Sequence, residues 1–96
     1  MTEDELVGAI RAAAGCDRIA LPAHAKKRLR DRSLAEWHVV AITSGGEVDH
    51  VETDAVPHPK VNFRGPLPDG TDSVVVCAYV EVDDVARVVT VYLVDW

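Results

Sequence analysis

Aromatic residues are scarce in this chain, with one phenylalanine, two tyrosines and two tryptophans in 96 residues. A core must instead be built from valine, isoleucine, leucine and alanine, and the composition supplies them, since 48% of residues are hydrophobic. Long apolar runs are also missing. The longest uncharged one, Val74 to Val80, is far too short to cross a bilayer. Cysteine is limited to Cys16 and Cys77, which excludes a disulfide framework, and neither sits in a CxxC or Cys/His ligand spacing. Reduced thiols in a cytoplasmic protein are the natural reading. The start, Met1-Thr2-Glu3-Asp4-Glu5, is acidic where a secretory signal would be basic and then apolar, which supports the same location. Four histidines (His24, His38, His50, His58) are scattered without HxxxH or HxH spacing, so no metal site is expected, and no motif calls for a cofactor.

Positive charge is short too. The net charge is −6, which argues against indiscriminate nucleic-acid binding. Its distribution is uneven, however. Residues 24 to 32 hold five of the ten basic residues (Lys26, Lys27, Arg28, Arg30, Arg32) against one acid, Asp31, for a local +4 and a remainder of −10.

No repeat or linker divides the chain, and its length suits one domain, residues 1–96, mainly helical to residue 46 and mainly sheet after it. Thr2 and Glu5 form a capping box for a first helix, in which Leu6, Val7, Ile10, Ala13 and Ala14 recur at helical spacing until Gly15. Arg18 to Leu21 reads as extended, and Pro22 suits a helix start. A second helix is expected over about Ala23 to Arg32. Ser33 and Glu36 suggest a second capping box, opening a third helix whose apolar side carries Leu34, Trp37, His38, Ala41 and Ile42, with Gly45-Gly46 as its stop. Trp37 is expected to anchor the core.

From Glu47 the period changes to two. Strands are expected over Glu47 to Thr53, Lys60 to Arg64, Ser73 to Asp83 and Arg87 to Val94, with Pro57, Pro59, Pro66, Pro68 and Asp69-Gly70 in the loops. A hairpin with Asp84-Val85 at its tip would pair Val80 with Val89, Ala78 with Val91 and Val76 with Leu93, all facing the helices. Tyr79, Cys77, Thr90 and Tyr92 would then share the other face. The expected fold is α+β, with N-terminal helices on one face of a roughly four-stranded antiparallel sheet.

The second helix is the stretch best suited to chemistry. At 3.6 residues per turn, His24, Arg28 and Arg32 form one stripe beside the apolar strip of Leu21, Ala25 and Leu29, so the two arginines are expected half-buried. Lys26, Lys27 and Arg30 project towards water. An imidazole beside two guanidinium groups suits phosphate chemistry, because arginine grips phosphate oxygens bidentately and histidine exchanges protons near neutral pH. The same stripe also suits a purely structural role, with His24 bonding the backbone and the arginines pairing with sheet carboxylates. His38 reads as a core histidine on an apolar helix face, and His50 and His58 as solvated.

The string His24-Ala25-x-x-Arg28-Leu29-x-x-Arg32, then Gly46-Glu47-Val48, then Val89-Thr90-Val91-Tyr92, resembles the family called domain of unknown function 4258, over about residues 19 to 95. Glycine often follows the second arginine in that pattern, where this chain has Ser33, and a histidine often opens the third strand, where it has Ser73. The resemblance implies the fold of the barnase, EndoU, colicin and RelE-like group, whose members are mostly metal-independent ribonucleases, many of them toxins. The matching positions are His24, Arg28, Arg32, Thr90 and Tyr92.

Two functions follow as expectations. The first is RNA cleavage by attack of the ribose 2′-hydroxyl on the adjacent phosphate, with His24 moving the proton, Arg28 and Arg32 on the phosphate, and Tyr92 as a second donor or stacking platform. Lys26, Lys27, Arg30, Lys60 and Arg64 would hold the flanking backbone of the RNA. An antitoxin or immunity-type protein is the partner that such a toxin-type enzyme would have. The second is a non-catalytic module whose basic helix and open sheet face bind an acidic protein, or which associates weakly and salt-dependently with its own copies through the +4 helix and the −10 remainder.

Overall fold

A computed structural model of the chain describes residues 1–94. Thr2 begins the first helix, α1 (Glu3–Gly15), with both halves of the expected capping box: Glu5 N–H donates to Thr2 Oγ1 at 3.1 Å and Thr2 N–H to Glu5 Oε1 at 3.0 Å. Its periodic face buries Leu6, Ile10, Ala13 and Ala14. A two-residue strand, β1 (Ile19–Ala20), leads through Leu21-Pro22 into α2 (Ala23–Asp31), which buries Ala25 and Leu29. Then come α3 (Glu36–Gly45), β2 (Glu47–Glu52), β3 (Lys60–Pro66), β4 (Asp72–Val80), a 3₁₀ turn (Glu81–Asp83) and β5 (Val85–Leu93).

The α+β class is as expected, with the helices packed on one face of the sheet. The sheet has five strands rather than four, in the order β1-β5-β4-β3-β2, and it is mixed, because β1 runs parallel to β5 with Ile19 opposite Ala86 and Ala20 opposite Arg87. No helix among the described residues is long and apolar enough to cross a membrane. The two sheet edges are protected differently. β1 is short, and β2 carries Glu47, Asp49 and Glu52 on an exposed strand, a charge pattern that discourages further pairing.

The end of α2 explains why the second capping box does not form. Ser33 takes the left-handed conformation (φ 56°), Ser33 N–H donates to Arg30 O at 3.0 Å and Leu34 N–H to Leu29 O at 2.8 Å. These two bonds make a Schellman stop, with Ser33 at the position glycine usually holds. Ser33 is therefore consumed in ending one helix and cannot begin the next. α3 starts at Glu36, and its leading N–H group at Ala35 donates to His38 Nδ1 at 3.0 Å. His38 is half-buried and stacks on Trp37, ring centroids 3.8 Å apart.

That later start rotates α3 relative to the expectation. Val39, Ile42 and Thr43 face the core, and Trp37 is 63% exposed. Trp37 is not a core anchor. The central aromatic is Phe63, fully buried in β3, with the Arg11 guanidinium 5.4 Å from its ring centroid and Arg11 Nη2 donating to Gly46 O at 2.7 Å. Gly46 is needed there: a Cβ would lie 2.5 Å from Ile42 O and 2.6 Å from Arg64 O.

The hairpin register also differs. Val80 pairs with Val85, Tyr79 with Ala86, Ala78 with Arg87 and Cys77 with Val88; the ladder then slips, and Val76 pairs with Thr90 and Val75 with Val91. Val89 is the surplus residue, a β-bulge. The helix-facing set on β4 is consequently Val75, Cys77 and Tyr79 rather than Val76, Ala78 and Val80, and on β5 it is Ala86 and Val88 before the bulge and Val91 after it. Val89 was expected inside and is the bulged residue instead; Val91 and Leu93 face inward and Thr90 and Tyr92 outward as expected. Tyr79 lies inside because its hydroxyl is held from the turn, donating to Asp84 Oδ1 at 2.6 Å. Asp84 (φ 51°) also bonds Arg18 through side chain and carbonyl, which ties the turn to the residue before β1.

Two stability measurements check this account. In urea unfolding, Phe63→Ala is expected to cost about 3–5 kcal/mol, whereas Trp37→Ala costs less than about 1 kcal/mol, as exposed substitutions do. Ser33→Gly is expected to stabilise the chain by about 0.5–1 kcal/mol, since relief of left-handed strain outweighs the added chain entropy; a loss of stability would contradict the Schellman stop.

Candidate functional site

The open face of the sheet is laid out in cross-strand rows. Lys60, Ala78 and Arg87 form one, Asn62, Val76 and Thr90 the next, and Arg64, Val74 and Tyr92 the third. These alternate along β3 with Val61, Phe63 and Gly65, which face the helices, so the rows point away from them.

At the Ala78 end of this face the bulge shapes a site. β1 pairs with β5 only as far as Arg87, so the Val89 carbonyl at the bulge has no strand neighbour on that side. The chain turns at Pro22 into α2, and the first turn of that helix sets His24 against the open edge. His24 Nε2–H donates to Val89 O at 2.8 Å. A carbonyl can only accept, so Nε2 carries a proton, and in the neutral ring the exchangeable position is Nδ1.

His24 divides two cavities. One, of about 220 Å³, is lined by Pro22, His24, Pro57, His58, Lys60, Ala78, Arg87, Val88 and Val89. Its walls bring two imidazoles and two cations together over a small apolar floor. His58 arrives from the loop between β2 and β3, at Pro57-His58-Pro59, and is half-buried. The other cavity, of about 550 Å³ and more open, is lined by His24, Lys27, Arg28, Asp31 and Arg32. Among the described residues His24, His58, Lys60, Arg87, Arg28 and Arg32 have no salt bridge.

The expected site residues are thus only partly brought together. His24, Arg28 and Arg32 share the larger cavity, but the arginines are exposed rather than half-buried, because α2 is short and meets β5 only at its start and along Ala25 and Leu29. Neither pairs with a sheet carboxylate. Lys26, Lys27 and Arg30 are exposed on the same helix. Lys60 joins His24 in the smaller cavity. Thr90 is one row away and Tyr92, 39% exposed, is two rows away, which at the rise of a strand is roughly 13 Å along the sheet from Ala78. Tyr92 therefore does not reach the His24 cavities. Arg64 is engaged elsewhere: its Nη2 and Nε donate to Asp72 Oδ2 at 2.9 and 3.3 Å, and that bond holds the guanidinium charged above its ordinary range.

His58 and Arg87 were missed by sequence reasoning. Their signals were faint, a histidine between two prolines and one arginine in a valine-rich strand, and only the strand pairing reveals that they are neighbours. His50 lines neither cavity and bonds Glu52 on β2 at 3.2 Å. Cys77 offers no nucleophile: burial pushes its thiol up to about 11, and its neighbour is Thr43 Oγ1 at 3.7 Å. Cys16 is exposed at the end of α1 and lines neither cavity. No group of three or more His, Cys, Asp or Glu among the described residues is placed to hold a metal ion.

The family model described as Domain of unknown function (DUF4258) matches residues 21–93, which takes in α2, α3, strands β2 to β5 and every residue of both cavities, and leaves out α1 and β1. No curated protein and no solved structure matches the chain.

An anion titration tests the smaller cavity directly. Inorganic phosphate is expected to shift the imidazole proton resonances of His24 and His58 along one saturation curve, leaving His50 unmoved. Lys60→Gln and Arg87→Gln should each weaken the binding roughly tenfold, the value of one charge-assisted hydrogen bond. Equal shifts at His50 would mean that phosphate meets no defined site.

Proposed function

The chain belongs to the domain of unknown function 4258 family, and we propose that it is a metal-independent ribonuclease of the toxin type. The observation that carries this reading is the meeting of His24 and His58 with Lys60 and Arg87 around one small cavity. Cleavage by the neighbouring 2′-hydroxyl needs a base, an acid and positive charge at the phosphorus, and these four side chains are of the required kinds.

In this mechanism His24 acts through Nδ1, since Nε2 is committed to Val89 O. Nδ1 takes the proton of the 2′-hydroxyl as the O2′–P bond forms. The P–O5′ bond breaks, and protonated His58 gives its proton to the departing O5′. The products are a 2′,3′-cyclic phosphate and a 5′-hydroxyl end, with no oxidant or second substrate consumed. Lys60 and Arg87 balance the charge that builds on the phosphoryl oxygens. Arg28 and Arg32, across His24, hold a neighbouring phosphate, and Lys26, Lys27 and Arg30 supply the surrounding positive field that the −6 net charge otherwise denies. The setting proposed with it is cytoplasmic, in keeping with two free cysteines.

A second reading is a non-catalytic module that docks an acidic protein or another copy of the chain. It is favoured by Trp37, exposed beside an apolar cleft of about 410 Å³ that reaches Ile42, Leu67 and Pro68.

A quenched-fluorophore RNA assayed in EDTA separates the two. Cleavage is expected to persist in EDTA, and a 2′-deoxy substrate should be inert. His24→Ala and His58→Ala should each lower kcat/KM by about 100-fold or more, and each should remove a different limb of a bell-shaped pH profile. Full activity in either variant, with the fold intact by circular dichroism, would overturn the mechanism.

A further inference from the structure

The central strand of the open face is covered unevenly. Outward-facing Val74 and Ala78 are only 2% and 4% exposed, and each stands between two long side chains, Arg64 and Tyr92 beside the first and Lys60 and Arg87 beside the second. Val76, between them, is half-buried, with the short side chains of Asn62 and Thr90 beside it. The result is a gap in the cover: an apolar floor one residue wide, walled by a carboxamide and a hydroxyl. Neither wall is used by the fold. Among the described residues the side chains of Asn62 and Thr90 have no hydrogen-bond partner, and neither is a buried unsatisfied group, so both are open to solvent.

The gap lies between two features suited to one ligand. On one side, roughly 7 Å away by the rise of two strand residues, is the row of Lys60 and Arg87 with His24 and His58 above it. On the other is the exposed ring of Tyr92. The neighbouring strand β2 sets a boundary, since Glu47 and Glu52 stand opposite Arg64 and Lys60 and would repel an anion crossing them. His50, opposite Asn62, bonds Glu52. A chain of phosphates is thus confined to β3, β4 and β5.

We propose that the Asn62–Val76–Thr90 row is a subsite for one unstacked nucleobase of single-stranded RNA, with adenine preferred, a reading that rests on RNA as the ligand of the His24 cavity. Val76 receives the face of the base and Tyr92 offers a stacking surface for the next one. Asn62 reads its Hoogsteen edge: a carboxamide presents a donor and an acceptor side by side, and on that edge adenine alone sets an acceptor, N7, beside a donor, N6–H. Thr90 bonds from the opposite side as donor or acceptor. Asn62 is a specificity residue here, with no part in moving protons.

The test uses the full chain and four 2′-O-methylated RNA pentamers, which lack the nucleophile, identical except for the central base, with binding read by fluorescence anisotropy at low salt. The adenine pentamer is expected to bind about fivefold tighter or more, the lower range for one bidentate pair. Asn62→Leu should bring all four within about twofold while leaving the melting temperature unchanged. Asn62→Asp, an acceptor only, should abolish the adenine preference, because a carboxylate has no donor for adenine N7 and is repelled by it. An unchanged ranking in Asn62→Leu, equal affinities in the native chain, or no binding of any pentamer would each overturn the subsite, the last leaving the face to a protein partner. Base-selective binding without cleavage would remove the ribonuclease reading and keep this one. Cleavage without base selection would do the reverse.

Discussion

A carbonyl group left over at a sheet edge organises the half of this molecule that carries the candidate site. The surplus residue Val89 shifts the β4–β5 ladder by one, and β1 is too short to cover the place where this happens. An unpaired backbone acceptor at a sheet edge needs a partner. His24 supplies it from the first turn of α2, and in doing so fixes where the helix meets the sheet and which of its own nitrogens remains available. Fold and chemistry meet in one hydrogen bond. Arg28 and Arg32 take their positions from the same contact, since they follow His24 at one-turn intervals along the helix.

Beneath the site, the core is built with one large ring at its middle. Phe63 is enclosed by α1, α3 and the inner face of the sheet, and Arg11 reaches over it to bond Gly46 O. The rest is aliphatic. β4, at the centre of the sheet, is buried on its inner side by helices and on much of its outer side by the long side chains of β3 and β5, so Ser73, Val74 and Val75 are all inaccessible. A strand covered on both sides has no reason to alternate.

That last fact explains what was legible in the sequence and what was not. The capping box of α1, the Gly45-Gly46 stop, the change of period at Glu47 and the α+β layering are local signals, and they stand in the structure where the sequence places them. The register of the hairpin depends on phase, and the Val74-Val75-Val76 run carries none; the 3₁₀ turn at Glu81–Asp83 and the bulge then move the pairing by several residues. Trp37 was misplaced because Ser33 and Glu36 imitate a helix start, while the chain spends Ser33 on ending α2. In the candidate site the stripe of His24, Arg28 and Arg32 was readable from helical spacing. His58 and Arg87 were not, because they become neighbours only through strand pairing and a loop closure that no local pattern encodes.

The short parallel strand β1 has a consequence for when the molecule becomes whole. Ile19 pairs with Ala86, and His24 meets Val89 across a separation of 65 positions. On the ribosome α1 and α2 emerge long before the strand that will seat them, and loop closure over such a span is slow compared with helix formation. The histidine cavity is therefore the last part of the domain to be assembled, completed only when β5 has left the exit tunnel and docked. A nascent or truncated chain has the basic helix without the partner carbonyl, Arg87 or the enclosing wall. Any ligand of that cavity therefore meets the folded chain and not the growing one.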